Sequence, residues 1–202
     1  MIDCRHIGIH DTKLPDTIFT HLKALIKNKK KLKGAQKTLA GNIVNEYHLD
    51  PVYPELEQFL TSQIANSPVF VKYLKRSTFL RLDARLYLHS LWVNFQKKTE
   101  FNPAHDHSGL FSFVIFMKIP YDLKEELEKG PGKQANSNLV SHLQFFYLDS
   151  FGGIKTQDIP VDKSYEGFIY IFPASMLHCV YPFYTSNNYR ITIAGNIKLW
   201  NN

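Results

Sequence analysis

Beyond residue 80 the chain breaks into short β-branched and aromatic runs: "RLYLHSLWVNFQ", "GLFSFVIFMKIP", "HLQFFYL", "GFIYIFP", "HCVYPFY" and "YRITIAGNIKLW". Gly, Pro, Asn or Ser signals separate them, the pattern of strands joined by turns. Six such runs predict a β-sandwich or barrel. The first third reads differently. "DTIFTHLKALIKNKKKLKG" begins with Asp16 as an N-cap and ends at Gly34, with Ile18, Leu22 and Leu25 or Ile26 on one face. "PELEQFLTSQIANS" offers a second amphipathic segment through Leu56, Phe59, Leu60 and Ile64. "LAGNIVNEYHL", between them, is too short and mixed to assign. The expected fold is therefore mainly β with N-terminal helices (α+β). At 202 residues and 44% hydrophobic content the chain suits one domain, 1–202. Residues 1–80 would form helical support and 81–202 a β core. "DLKEELEKGPGKQANSN" lies within a surface insertion at about 121–139, placed at the mouth of whatever the barrel encloses.

Several classes of function drop out. No stretch approaches the roughly 20 apolar residues of a membrane span, and "MIDCRHIGIHDTK" lacks the apolar middle of a signal peptide. The two cysteines, Cys4 and Cys179, lie too far apart in sequence for a disulfide framework, and Cys179 reads as a small core residue. A soluble protein of a reducing, cytoplasmic compartment is expected. Much of the net charge of +6 sits in "KNKKKLK", Lys27–Lys33. With no interleaved aromatics to stack bases, that run reads as a solvated helix end, and nucleic acid is not an expected partner.

The candidate chemistry lies in three of nine histidines. In "FNPAHDHSG", His105 and His107 are two apart, so in extended chain both imidazoles face one point while Asp106 faces away. His178 follows a strand that ends at Pro173 and a tight turn, and it opens the next strand near the same end of a barrel. Three ligands on one face leave positions free for a bidentate cosubstrate and oxygen, as at non-haem iron; three histidines plus water also suit zinc. Arg190 lies beyond a turn at Thr185–Asn188. With Ser186–Asn188 as a hairpin loop it would pair with Tyr184 and enter the barrel on the face of His178, with Thr192 beside it. An arginine fork with a neighbouring hydroxyl suits the distal carboxylate of 2-oxoglutarate.

His-X-His, a distal His and Arg-X-Thr, in this order, resemble the iron(II)- and 2-oxoglutarate-dependent oxygenases. "WVNFQKKTEFNPAHDHSGLFSFVIFMKIP" and "GFIYIFPASMLHCVYPFYTSNNYRITIAGNI" are similar to a prolyl-4-hydroxylase-like group common in marine bacteria and their phages, over roughly Leu86–Leu199. The resemblance implies a double-stranded β-helix (jelly-roll) and a dioxygenase that hydroxylates an unidentified substrate, using Fe(II), 2-oxoglutarate and O2. It implies a bacterial or phage-infected host cytoplasm as its setting. His105, His107 and His178 would be the metal-ligating catalytic residues. Arg190 and Thr192 would face the cosubstrate's far carboxylate, and Asn94 falls where relatives place a polar group near it. A dry pocket would be walled by Phe111, Phe113 and Phe172, with substrate choice left to the N-terminal helices and to Lys124–Asn138. The larger superfamily usually carries a carboxylate where this chain has His107. A local bulge that turns Asp106 inward is the alternative. Two further readings stay open. One is a cupin-like metal protein without oxygenase activity, although cupins usually add a glutamate that "HSGLFSFVIF" lacks. The other is a binding module with vestigial histidines.

Overall fold

The computed structural model describes residues 4–76 and 85–200. In chain order the elements are β1 (His10–Lys13), α1 (Asp16–Ile26), β2 (Lys33–Gly34), β3 (Glu46–Leu49), α2 (Pro54–Asn66), α3 (Pro68–Arg76), β4 (Arg85–Gln96), β5 (Asn102–His105), β6 (Phe111–Lys118), α4 (Leu123–Lys129), β7 (Leu143–Leu148), β8 (Ile154–Ile159), β9 (Phe168–Pro173), β10 (His178–Val180) and β11 (Arg190–Trp200). The strands form two antiparallel sheets. One has seven strands in the order β1-β9-β6-β11-β4-β3-β2, the other four in the order β5-β10-β7-β8. The expected boundary near residue 80 lies outside the described residues.

The large sheet is covered on both faces, and the alternation of its side chains shows how. Leu91, Val93 and Phe95 of β4, Ile193 and Ile197 of β11, and Ile115 of β6 join one apolar core with Ile18, Leu22 and Ile26 of α1 and Leu56, Leu60 and Ile64 of α2. Each helix thus buries a stripe at every fourth residue, which an α-helix places on one face. The intervening β4 residues Trp92, Asn94 and Gln96 point the other way, into the gap between the sheets. There Phe116, Tyr170 and Phe172 of the large sheet meet Leu143, Phe145 and Ile159 of the small one in a second core. A polar inner face at one end of that gap opens it into a cavity.

The helical third is shorter than its sequence pattern. α1 stops at Ile26, and Asp16 is its first residue rather than its cap, because Pro15 takes the N-cap position without a side-chain bond. The lysine run beyond is a 3-10 turn at Lys29–Lys31 followed by the edge strand β2. α3 follows α2 directly across Ser67, where extended backbone interrupts the helix ahead of Pro68. "NEYHL" contributes β3, paired with β4 along Glu46–Asn94, Tyr47–Val93, His48–Trp92 and Leu49–Leu91.

The insertion holds α4, capped by the Asp122 carboxylate, which accepts the Glu125 amide at 3.2 Å. None of Lys124–Asn138 lines the cavity. The segment acts from behind instead. Fully buried Glu126 accepts the amides of Tyr184 at 2.8 Å and Thr185 at 2.6 Å, as well as the Thr185 hydroxyl, and so fixes the approach to β11.

The candidate metal centre and its cavity

β5 and β10 are neighbours in the small sheet, and His105 and His178 are a direct cross-strand pair. The register slips between His178 and Val180, a bulge at the strand that carries the histidine. β5 ends at His105, so strand parity does not place His107. Its amide donates to Ala174 O at 2.8 Å, tying it to the turn before β10. The ring centroids lie 4.3 Å (His105–His178), 4.9 Å (His105–His107) and 5.1 Å (His107–His178) apart. One nitrogen from each ring falls within 4.8 Å of the other two. Small ring rotations would bring these to the about 3 Å edge that metal–nitrogen bonds of about 2.1 Å require.

Protonation is arranged for the same end. His105 Nδ1 lies 2.7 Å from Pro103 O and His178 Nδ1 3.0 Å from Met176 O. A carbonyl only accepts, so each Nδ1 carries the proton and each Nε2 keeps a bare lone pair. Burial, reinforced by His105, lowers the pKa of His107 to about 4, against a smaller opposing pull from Asp106. Burial and then His105 lower that of His178 to about 3. Both rings are neutral at pH 7, the form that binds a metal. Asp106 is exposed to solvent and takes no part in the cluster, so the inward-turned Asp106 has no counterpart here.

The same cavity reaches Asn94, Thr192 and Arg190. The hairpin expected to bring Arg190 there is absent. β10 ends at Val180, residues 181–189 cross to the other sheet, and Arg190 pairs with Gln96 rather than Tyr184. Its side chain is only 2% exposed and its five N–H donors are all engaged. Nε and Nη2 donate to Gln96 Oε1 at 3.0 and 2.8 Å, Nη1 to Tyr121 OH and Ser141 O at 3.1 Å each, and Nη2 to Tyr181 O at 2.8 Å. Every one of these partners is neutral. Among the described residues no carboxylate pairs with it, which leaves a buried cation in want of an anion. Phe116 and Phe172 wall the cavity, whereas Phe111 and Phe113, two apart on β6, turn their rings to the other side of the sheet, Phe111 against Phe70 and Phe113 against Gly195.

Sequence reasoning missed Glu46, Asn102 and Gln96 on the cavity wall, and Tyr121 behind Arg190. Gln96 lay within a run read correctly as a strand, and its parity with Asn94 was the available signal.

Two antiparallel sheets around a cavity that joins a histidine cluster able to hold a metal ion to a buried arginine define a β-rich protein with a candidate metal centre. The family described as "Putative 2OG-Fe(II) oxygenase" matches residues 90–196, more than half of the chain. The chain belongs to this family of 2-oxoglutarate- and iron(II)-dependent oxygenases. None of the curated proteins matches its sequence. Among solved structures it is similar to a Pseudomonas putida prolyl-4-hydroxylase, at 15% identity over 95% of this chain and 92% of that one, with a TM-score of 0.56. A prolyl hydroxylase from Trichoplax adhaerens, in complex with a hypoxia inducible factor oxygen degradation domain peptide fragment, gives 12% identity, 96% and 83% coverage and a TM-score of 0.51. An oxidoreductase of the 2OG-Fe(II) oxygenase family from Burkholderia pseudomallei gives 11%, 96%, 85% and 0.50. At these identities the likeness is one of fold. Among the described residues no helix is long and apolar enough to cross a membrane.

Proposed function

We propose that the protein is a non-haem iron(II)- and 2-oxoglutarate-dependent dioxygenase, a single jelly-roll (double-stranded β-helix) domain that hydroxylates a substrate with release of succinate and CO2. The observation that carries this reading is one cavity with inward-facing, unprotonated imidazole nitrogens at one place and an uncompensated buried guanidinium at another. Iron(II), when bound, supplies the activation of dioxygen that couples oxidative decarboxylation of 2-oxoglutarate to hydroxylation. His105, His107 and His178 would hold it. Backbone carbonyls on Nδ1 of His105 and His178 fix the orientation of those two rings, as outer-shell groups do at metal sites, and leave Nε2 of each free for a divalent ion of intermediate softness.

The other residues bind and exclude. Arg190 offers a charge to the cosubstrate's far carboxylate. Because all five donors are in use, an arriving carboxylate takes over bonds now made to Gln96 Oε1, whose amide turns away. Thr192 and Asn94, paired across β11 and β4, present a hydroxyl and a carboxamide along the path between arginine and histidines. Phe116 and Phe172 keep water from the reacting region.

The test is anaerobic titration with iron(II) and then 2-oxoglutarate, following the weak visible charge-transfer band of their chelate. A band that is lost in His178→Ala supports the reading. Bound metal with no band overturns it in favour of a cupin-like metal protein.

A further inference from the structure

One wall of the cavity comes from residues that precede the family-matched segment. Leu39, Ala40 and Gly41, between β2 and β3, line it together with Glu46 of β3. Glu46 is 1% exposed, and its Oε2 has no hydrogen-bond partner. Two carboxamide oxygens share that condition: Asn94 Oδ1, on the residue paired with Glu46 across β3 and β4, and Asn102 Oδ1. Gly41 shows how close the group is. A Cβ built there would lie 2.5 Å from both Glu46 Oε1 and Asn102 Oδ1, so those oxygens are no more than twice that distance apart. A methyl group at Gly41 would occupy the space above both.

An acceptor cut off from water and left unpaired costs free energy, and a carboxylate costs more than an amide. No cation among the described residues pairs with Glu46. The two asparagines can turn an NH2 inward, but an ionised Glu46 only accepts. The missing partner is therefore a donor, and a positive one. An alkylammonium group carries three N–H donors, one for each orphaned oxygen.

We propose that Glu46, with Asn94 and Asn102, is a recognition site for a protonated amine, and that the substrate of this enzyme carries one. Calling the amine a substrate rests on the dioxygenase reading; its binding does not. Cα spacing places Glu46 and Arg190 about 12 Å apart, one strand to either side of β4 and two residues along it. Two unpaired charges of opposite sign then sort the ligands, with the anionic cosubstrate at Arg190 and the cationic substrate at Glu46.

The test uses n-pentylamine, protonated near neutral pH, and its uncharged counterpart 1-pentanol. Both are titrated calorimetrically into the metal-free full chain at about pH 8, where Glu46 is ionised. The amine is expected to bind the native protein at least tenfold tighter than the alcohol, and Glu46→Gln to remove that preference while leaving pentanol binding unchanged. Gly41→Ala, which crowds the Glu46 carboxylate and Asn102 Oδ1 without changing their charge, is expected to weaken the amine alone. It serves as the second variant should Glu46→Gln melt early in circular dichroism. Equal amine affinity in native and variant proteins, or no preference for the amine in the native protein, overturns the proposal. The iron and 2-oxoglutarate titration separates the two readings. Glu46-dependent amine binding without the chelate band keeps this site and removes the oxygenase, whereas a band without amine preference does the reverse.

Discussion

Glu46→Gln has a second consequence, in stability. Burial first, and then the neighbouring Glu100, push the Glu46 carboxyl from its ordinary 4.5 up to about 7. A folded-state pKa raised above the unfolded one means that the native state holds the proton more tightly. The stabilisation is fully present below pH 4.5 and is lost as pH rises through about 7. A shift from 4.5 to about 7 corresponds to about 3 kcal/mol, and with the side chain 1% exposed no large solvent discount applies. Glutamine is nearly isosteric and does not titrate. Native protein and variant should therefore melt close together at about pH 4.5, with the variant pulling ahead as pH rises to 8. At about 2–4 °C per kcal/mol for a domain of this size, the gap should reach roughly 10 °C. Thermal melts of both metal-free proteins across that range measure it. A gap that stays constant with pH would refute the claim that Glu46 is buried without a partner.

Three other outcomes are expected. With folded pKa values lowered to about 4 and about 3, His107 and His178 contribute stability that is present above pH 6.5 and lost as pH falls toward them. Replacing either by phenylalanine should make acid unfolding measurably less steep below pH 6.5. Arg190→Lys keeps the charge but loses the fork, leaving Ser141 O and Tyr181 O unpaired; it should weaken 2-oxoglutarate binding at least tenfold with iron affinity unchanged, and cost about 2 kcal/mol in urea unfolding. Glu126→Ala removes three bonds to Tyr184 and Thr185 and should cost about 2–4 kcal/mol, with amide hydrogen exchange rising first at those two residues.

Long strands and paired histidines were legible because their signals are local. β4, β6 and β11 fall inside runs whose composition alone marks them, and the α1 and α2 stripes follow helical spacing. His105, His107 and His178 do come together, but not by the shared strand expected: β5 ends at His105, and a bond to Ala174 O seats His107. Arg190 reaches the expected cavity by a route the sequence did not suggest, because residues 181–189 change sheets instead of forming a hairpin. β1, β2, β3, β5 and β8 are between two and six residues long and carry polar side chains, so pairing to distant strands defines them, not propensity. Glu46 was invisible for this reason. A glutamate in "NEYHL" reads as solvent-facing until β4, Gly41 and Asn102 close over it.

The cross-strand pair of His105 with His178 joins positions 73 residues apart in the chain (178 less 105). An ion gripped by both would close that stretch into a ring, as a disulfide does. For a loop of this length the lost freedom of the unfolded chain amounts to about 4 kcal/mol. The centre would then act as a removable staple between β5 and β10. Filling it with any divalent ion, including one unable to turn over, would hold the small sheet shut against proteases, and a chelator would release the stretch between the two histidines.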